Sequence, residues 1–244
     1  MDRAAMRDLR RERWLRRAER ARDAFGLVFA LVVVTYVLTS LLTNRGWGAV
    51  AIVLATSVTS VVALTSSHAK PRIVRLAIQL SVLTVLLAVV EAVTTQHVHV
   101  FLDLASLIQM SLLVIAMASV LGRVITVPEV GARTILGALS VYASLGLLFT
   151  YLFGTIDRLQ GGPFFEGVAH PSGSDFLFFS YTTLTTTGYG DLVPGGQPGR
   201  MVTGLEMMIG QIFLVTLVAG LVSLWRPGEA IRRRREERAA GDRA

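Results

Sequence analysis

Six apolar runs of about 20 residues, each almost free of charge, constrain this chain more than any other feature of its sequence. As helices, runs of this length can cross the hydrocarbon core of a bilayer, which is about 30 Å thick. Of all residues 52% are hydrophobic and 17% are charged, and the charges lie in blocks between the runs. The composition therefore predicts an all-α membrane protein with six transmembrane helices. The predicted spans are 24–43, 48–66, 73–94, 101–121, 134–153 and 201–225.

The basic residues between these runs predict how the chain is oriented. If the N-terminus is cytoplasmic, the cytoplasmic segments hold 21 of the 24 basic residues and the external loops hold three. An excess of Arg and Lys is typical of cytoplasmic loops. We therefore expect a multi-pass protein of the cell membrane with both termini in the cytoplasm. The cytoplasmic segments are 1–23, 67–75, 122–133 and 226–244, and the external basic residues are Arg45, Arg158 and Arg200.

Both ends of the chain are rich in arginine. Residues 1–23 contain nine arginines, and residues 226–244 contain seven. The first segment is interpreted as a solvated cytoplasmic helix or tail, or alternatively as an amphipathic helix lying on anionic lipid, where each arginine contributes about 1 kcal/mol. The tail is interpreted as a charged helix or anchor, too short for a nucleotide-binding or calcium-binding domain. The net charge of +7 therefore indicates the membrane face rather than a nucleic-acid partner.

A glycine-containing loop lies between the last two apolar runs. Gly188 and Gly190 can adopt positive φ, and alternating them with residues of ordinary handedness can turn successive carbonyl oxygens to the same side. A row of carbonyls that faces one axis can replace the water shell of a cation. The loop therefore indicates a site in which the backbone, rather than the side chains, binds the ligand.

A short apolar segment, Phe176 to Leu184, precedes this loop. It is too short to span a bilayer, and we expect a re-entrant helix buried in protein. Ser172 or Ser174 can cap this helix, and Asp175 in its first turn complements the positive end of the helix dipole. The negative end of the helix would then point toward the loop and favour a cation there.

The segment Thr186-Thr187-Gly188-Tyr189-Gly190 resembles the selectivity filter of the potassium channel family, with threonine where valine is usual at the second position. Its setting after a short aromatic helix and between the last two spans resembles that family too. The resemblance implies a prokaryotic-type pore-loop channel subunit that conducts K⁺ passively, without a cofactor. Since one chain supplies one loop and the filter of the family has four, it also implies a homotetramer.

The resemblance gives each residue of the filter a role, and implies that K⁺ at the filter carbonyls is the only metal that the protein binds. The hydroxyl and carbonyl of Thr186 would form the innermost ion site. The carbonyls of Thr187, Gly188 and Tyr189 would form the middle and outer sites, and Gly190 would line the external mouth.

Asp191 would lie at the pore mouth, on the extracellular side. One bacterial branch of the family pairs this aspartate with a glutamate on the re-entrant helix, but the matching residue here is Thr182, so the carboxyl pair is missing and support of the filter by Thr182 is open. The Tyr189 side chain would point away from the axis. Its expected neighbours are Phe178, Phe179 and Tyr181.

The last span contains three further candidates. Gly210 lies where the family commonly places a gating hinge, and Gly204 is a second candidate, although glycine is also common at helix contacts in membranes. Glu206 is an ionisable group inside the span, where such groups need a polar partner or a water-filled path. We expect it to form a structural hydrogen bond behind the filter, with a pore-facing cation site as the alternative.

Six spans with the pore in the last two resemble voltage-gated channels, but the fourth span lacks their defining charges. Between Arg75 and Arg123 there is no Lys or Arg. Each charge that crosses the field contributes about 2.3 kcal/mol per 100 mV, so conventional voltage gating is not expected. The predicted domains are a four-helix transmembrane domain at 24–122, a cytoplasmic linker at 123–133 and a pore domain at 134–225.

His97 and His99 lie in the external loop between spans three and four, near Glu91 and Asp103. They are interpreted as solvated loop and cap residues, or alternatively as an external sensor of protons or divalent metals. Cysteine is absent, which excludes disulfides and thiolate metal sites.

No nucleophile–base set or phosphate-binding loop occurs, so no enzymatic activity is expected. Residues 186–190 are called the filter motif below. Because Thr187 stands in it where valine is usual, a weakly selective cation channel is an alternative. From other classes, a secondary transporter would be expected to show an internal repeat with paired broken helices, and a non-conducting membrane sensor would show no ion flux.

Overall fold

The computed structural model describes residues 24–42, 46–94, 99–126 and 132–224, and these residues form seven α-helices. No strand occurs among them, and one isolated bridge pairs Phe165 with Pro194. The all-helical prediction is therefore confirmed for the described residues. The helices are α1 (Phe25–Leu41), α2 (Trp47–Ser66), α3 (Pro71–Val93), α4 (His99–Thr126), α5 (Ala132–Leu159), α6 (Gly173–Leu184) and α7 (Gln197–Leu224).

Five of these helices, α2, α3, α4, α5 and α7, are long and apolar enough to cross a membrane. The first predicted span forms α1, an apolar helix of 17 residues, which is at the lower end of the lengths that span a bilayer. The short segment before the glycine loop forms α6, a helix of 12 residues. These helices are those of a membrane protein.

Several helices extend beyond the apolar runs that predicted them. α5 continues to Leu159 through Asp157 and Arg158, and α4 continues to Thr126. Backbone hydrogen bonds do not stop at a charged residue, so the end of an apolar run does not mark the end of a helix. The linker predicted at 123–133 is consequently shorter, since its two ends belong to α4 and α5.

The remaining residues of that linker, 127–131, lie outside the described residues. The same is true of the arginine-rich segments 1–23 and 226–244. The interpretations of these segments therefore stay predictions.

The first four helices pack beside the last three, and α5 provides most of the contact between the two groups. α5 contacts α1 and α4 on one side and α6 and α7 on the other. α3 contacts α2 and α4 and leaves an apolar face exposed, as a lipid-facing helix would. Exposed side chains on α3 include Leu76, Ile78, Val82, Leu86 and Val90.

A polar junction lies where α2, α3 and α4 meet. The side-chain nitrogen Nε2 of Gln109, which is fully buried, donates to the carbonyl of Val53 at 3.1 Å and to the hydroxyl of Ser57 at 2.7 Å. The hydroxyl of Thr84 lies 3.3 Å from the same nitrogen. A neutral amide therefore lies at the centre of the group formed by α2, α3 and α4.

An ion pair connects the start of α4 to the end of α5. The guanidinium of Arg158 pairs with the carboxylate of Asp103 and also donates to the hydroxyl of Ser106 at 3.1 Å. Both charged side chains are partly exposed, so the pair is worth about 0–1 kcal/mol. The pair nevertheless holds the carboxylate of Asp103 against α5. In the sequence this residue lies near the histidines of the preceding loop.

Candidate functional site

α6 begins at a capping box. Ser172 is the N-cap, and its hydroxyl accepts a hydrogen bond from the backbone N–H of Asp175 at 3.3 Å. In return, the carboxylate of Asp175 accepts a hydrogen bond from the backbone N–H of Ser172 at 2.7 Å. Of the two predicted caps, Ser172 is therefore confirmed as the residue that starts the helix, and the negative end of its dipole lies at the glycine loop.

The loop folds back onto the C-terminal turn of α6. The backbone N–H of Thr186 donates to the carbonyl of Thr183 at 3.0 Å. The N–H groups of Thr187 and Gly188 both donate to the carbonyl of Thr182, at 2.8 and 3.1 Å. These bonds satisfy carbonyls that a helix end otherwise leaves without partners, and they hold the first three residues of the filter motif against α6.

The backbone of the filter motif alternates in handedness. φ is +58° at Thr186, +51° at Gly188 and +79° at Gly190, whereas Thr187 and Tyr189 do not have positive φ. Glycine adopts this conformation freely, but at a residue with a side chain it costs about 1–2 kcal/mol. The alternation expected from Gly188 and Gly190 thus also includes Thr186, whose backbone is held by its hydrogen bond to α6.

The carbonyl oxygens of residues 186–190 accept no hydrogen bond from any described residue, although the first three N–H groups of this segment all donate. All five residues are exposed in the single chain. Backbone carbonyls need a partner, and where protein supplies none, water or a cation does. The segment therefore offers five successive backbone oxygens to a ligand from outside the chain.

Threonine hydroxyls organise the base of the filter motif. The hydroxyl of Thr185 donates to the carbonyl of Tyr181 at 2.7 Å and lies 2.9 Å from the hydroxyl of Thr187. Thr187, which stands where valine is usual, therefore has a hydrogen-bond partner within the same loop.

The structure does not bring Thr182 and Asp191 into hydrogen-bond contact. The Thr182 hydroxyl donates to the carbonyl of Phe179 within α6 at 3.0 Å. The carboxylate of Asp191 accepts from the backbone N–H of Leu192 at 3.1 Å. Each residue is thus satisfied locally, as the absence of a carboxyl pair would lead one to expect.

Of the three aromatic residues expected behind Tyr189, Phe178 stacks on it. The two ring centroids are 5.8 Å apart and the planes differ by 10°, but 71% of Tyr189 is exposed in the single chain. Phe179 packs instead on Phe153 of α5, at 5.2 Å between centroids, and Tyr181 packs on a tyrosine of α1.

A buried cluster of aromatic rings supports α6 from the side of α5 and of the α5–α6 loop, residues 160–172. Neighbouring ring centroids lie 4.8 to 5.9 Å apart. Aromatic pairs at such distances contribute about 0.5–1.5 kcal/mol each beyond the burial of their area, which gives α6 a rigid backing. The cluster consists of Phe149, Phe153, Phe164, Phe165, Phe176 and Phe179.

The α5–α6 loop also forms hydrogen bonds with the segment that follows the filter motif. The N–H of Glu166 donates to the carbonyl of Val193 at 2.9 Å, and the N–H of Gly195 donates to the carbonyl of Phe164 at 2.8 Å. Arg200 at the start of α7 pairs with the Glu166 carboxylate at 2.8 Å. The filter motif is therefore held at both of its ends, by α6 before it and by this loop after it.

Two tyrosine hydroxyls fasten α6 to α5. Tyr142 donates to the carbonyl of Leu184 at 2.9 Å, and Tyr181 donates to the carbonyl of Ala143 at 2.6 Å. The ring of Tyr181 lies directly over Gly146, where an added Cβ would be 2.5 Å from a ring carbon. Only glycine at this position allows α6 to approach α5 so closely.

Glu206 lies on the buried side of α7. The side chain is 0% exposed, and its Oε1 atom is in hydrogen-bond contact with the hydroxyl of Ser180 in α6, at 2.5 Å. The same hydroxyl lies 2.9 Å from the carbonyl of Gly146 in α5. Glu206 therefore belongs to a contact among three helices behind the filter motif.

The two candidate hinge glycines differ in their surroundings. An added Cβ at Gly210 would lie 2.9 Å from the carbonyl oxygen of Leu184 and 2.8 Å from its Cδ1 atom, whereas an added Cβ at Gly204 would meet no atom within 4 Å. α7 is one continuous helix through both positions. Close approach to the end of α6 is a reason for glycine at Gly210 that is independent of bending.

The proposed external sensor is described only in part. His97 lies outside the described residues, and of His99 the structure describes only its position at the start of α4. No group of three or more metal-ligating side chains occurs in the part of the chain that is described.

An open groove of about 730 Å³ runs beside the filter motif. Thr183 and Thr186 line one side of it, and Met207, Gln211 and Ile212 of α7 line the other. A single chain therefore covers its filter motif on one side only.

Three residues of the site, Ser180, Tyr142 and Gly146, were not predicted from the sequence. No motif indicates Ser180 or Gly146, because their roles depend on contacts between helices. Tyr142 carried a signal, since a buried tyrosine hydroxyl in an apolar run must find a hydrogen-bond partner.

Comparison with known proteins gives one match. A family model described as "Ion channel" matches residues 137–226, which include most of α5, all of α6, the filter motif and α7. No curated protein matches the chain. The matched region is the one that holds the exposed carbonyls and their supporting contacts, and the match supports an ion channel family.

Proposed function

We propose that this chain is a subunit of a potassium-selective channel, in which residues 186–190 of four identical chains form the filter. The observation that carries the proposal is the row of five backbone carbonyls without partners among the described residues, in a segment whose φ values alternate in sign. Such a row can replace the water shell of a K⁺ ion as it passes. Transport is passive and requires no cofactor.

The tetramer is supported by the exposure of the filter side of the chain. One loop provides carbonyls on one side of an axis, and four copies related by cyclic symmetry enclose the ion. The groove beside the filter and the exposed apolar residues of α7 supply surface for the neighbouring copy. These residues include Met207, Met208 and Ile212, which are 49%, 56% and 67% exposed.

The first four helices are proposed to act without conventional voltage sensing. Gating charges each contribute about 2.3 kcal/mol per 100 mV, and α4 carries no Lys or Arg before Arg123. The buried polar residue in the middle of α4 is Gln109, which is neutral and hydrogen-bonded to two other helices. The charge distribution of the loops supports an orientation with both termini in the cytoplasm and the filter mouth outside.

A weakly selective cation channel is the second candidate. The observation that favours it is Thr187, whose hydroxyl bonds to Thr185 where valine would make no such bond. An added hydrogen bond at this point changes the stiffness of the filter loop and hence its preference among ions of different size.

The proposal is tested with purified protein in liposomes that are loaded with K⁺ or Na⁺. We expect K⁺ flux to exceed Na⁺ flux in the wild type. Gly188→Ala places a side chain at a positive φ at a cost of about 1–2 kcal/mol, so K⁺ flux should fall about 5- to 30-fold.

Gly46→Ala is the matched control. Gly46 also has φ of +58° and open space around its Cα, but it precedes α2, far along the chain from the filter motif. Because its ψ of −136° lies outside the left-handed region that alanine can adopt, this variant should lose at least as much stability and yet keep its flux. Equal fluxes of K⁺ and Na⁺ in the wild type, or equal losses of flux in both variants, would contradict the proposal.

A further inference from the structure

Glu206 is a carboxyl group that is completely enclosed by its own chain. Both Glu206 and Ser180, its partner, are 0% exposed. Since no surface of the carboxyl remains uncovered, neither lipid nor a neighbouring subunit reaches it in an assembly. Its protonation state therefore has to be explained by the residues of this chain alone.

The groups around Glu206 offer it one hydrogen bond. Oε1 contacts the Ser180 hydroxyl, whereas Oε2 has no hydrogen-bond partner among the described residues, and no described cation forms an ion pair with it. The titratable groups that face it are Tyr142 from α5 and Tyr181 from α6. Both tyrosine hydroxyls already donate to backbone carbonyls, so their protons are not available to the carboxyl.

The hydroxyl proton of Ser180 cannot serve two acceptors at once. It lies between the Glu206 carboxyl at 2.5 Å and the Gly146 carbonyl at 2.9 Å. An ionised Glu206 would take this proton and would still be a buried charge with a single hydrogen bond, which is costly. A protonated Glu206 donates its proton to Ser180, and Ser180 then donates its own to the carbonyl of Gly146. Each of the two protons thus forms one hydrogen bond.

We propose that Glu206 is held as a neutral acid that donates a hydrogen bond to Ser180, and that its proton is a pH-sensitive link between α7 and α6 behind the filter motif. Glu206 acts here as a positioning residue, because it contacts α6 rather than the ion. Only the flux measurement below rests on the proposed channel function.

The sign of the pH effect follows from this hydrogen-bond chain. Raising the pH removes the proton, leaves a charge in an enclosed site and breaks the donation to Ser180. The packing of α7 against α5 and α6 is therefore stabilised at low and neutral pH and weakened at alkaline pH. Glutamine in place of Glu206 would keep a donor at every pH, whereas methionine, with a similar volume, would supply none.

The primary test is infrared difference spectroscopy of the purified chain at neutral pH. Wild type minus Glu206→Gln should show the carbonyl band of a protonated carboxylic acid, and the band should vanish as the pH is raised. Glu166→Gln is the matched control, since Glu166 is exposed and paired with Arg200, and it should show no such band. Absence of the band in the Glu206→Gln difference would overturn the proposal whether or not the protein conducts ions.

The pH profile provides the second measurement. The midpoint of thermal unfolding and the K⁺ flux of the wild type should both fall at alkaline pH, while those of Glu206→Gln stay constant over the same range. At neutral pH we expect Glu206→Gln to keep its flux within about twofold and Glu206→Met to lose about tenfold, because only the amide replaces the donor. Identical pH profiles of unfolding for wild type and Glu206→Gln would also overturn the proposal.

Discussion

Alanine at Gly210 and at Gly204 distinguishes a packing role from a hinge role in α7. The two positions lie in the same helix, so alanine gives each the same gain in helix propensity, about 0.8–1.0 kcal/mol. What differs is the space for the added carbon. At Gly204 no atom lies within 4 Å, whereas at Gly210 the carbonyl oxygen of Leu184 would be 2.9 Å away.

The carbonyl of Leu184 cannot move aside cheaply. It ends α6, accepts a hydrogen bond from the Tyr142 hydroxyl at 2.9 Å and immediately precedes Thr185. Overpacking of this kind costs about 1–3 kcal/mol. Because the propensity term cancels, Gly210→Ala should be about 1–3 kcal/mol less stable than Gly204→Ala. Gly204→Ala itself should be about 1 kcal/mol more stable than wild type.

The assay is thermal unfolding of both variants in the same detergent, followed by K⁺ flux in liposomes. The packing account predicts that Gly210→Ala loses stability and flux together, because the shift of Leu184 displaces the start of the filter motif. The alternative result is that both variants unfold at the same temperature while Gly210→Ala alone changes the flux. That result would contradict the packing account and would indicate that glycine is required for bending of α7.

Three further substitutions test the supports of the filter motif. Ser172→Ala removes the N-cap of α6 and should lower the free energy of unfolding by about 0.5–2 kcal/mol, measured by thermal unfolding. Ser174→Ala removes only a hydroxyl contact and should lower it less. Equal effects of the two substitutions would contradict the assigned cap. Thr187→Val removes the hydrogen bond to Thr185, at about 0.5–1.5 kcal/mol, and should keep K⁺ flux while raising the preference for K⁺ over Na⁺; loss of conduction would contradict this role of Thr187.

The helical fold could be predicted because apolar runs of this length have few alternatives. The helix ends could not, since residues such as Asp157 and Arg158 continue α5 beyond its apolar part. Hydropathy reports where lipid can surround a helix, and backbone hydrogen bonding decides where the helix stops.

The filter motif could be predicted in part for a similar reason. Gly188 and Gly190 indicate positive φ in the sequence, because they are the residues that adopt it without strain. Thr186 does not, since its conformation depends on hydrogen bonds to the end of α6. The partner of Glu206 likewise lies on another helix, at Ser180, and no local pattern connects the two residues.

The fourth helix shows what the sequence could indicate and what only the structure describes. The absence of arginine between Arg75 and Arg123 was visible in the sequence, but the hydrogen bonds of Gln109 to α2 and α3 were not. These bonds hold α4 in one register against its neighbours. We therefore expect α4 to contribute little gating charge, since each charge that crosses the field contributes about 2.3 kcal/mol per 100 mV.

The central claim is that residues 186–190 select K⁺ through their backbone carbonyls. Its most direct test is the reversal potential of wild-type channels in a planar bilayer with K⁺ on one side and Na⁺ on the other. The account predicts a large reversal potential of the sign that a K⁺-selective pore produces. A reversal potential near zero, with current carried equally by both ions, would contradict it.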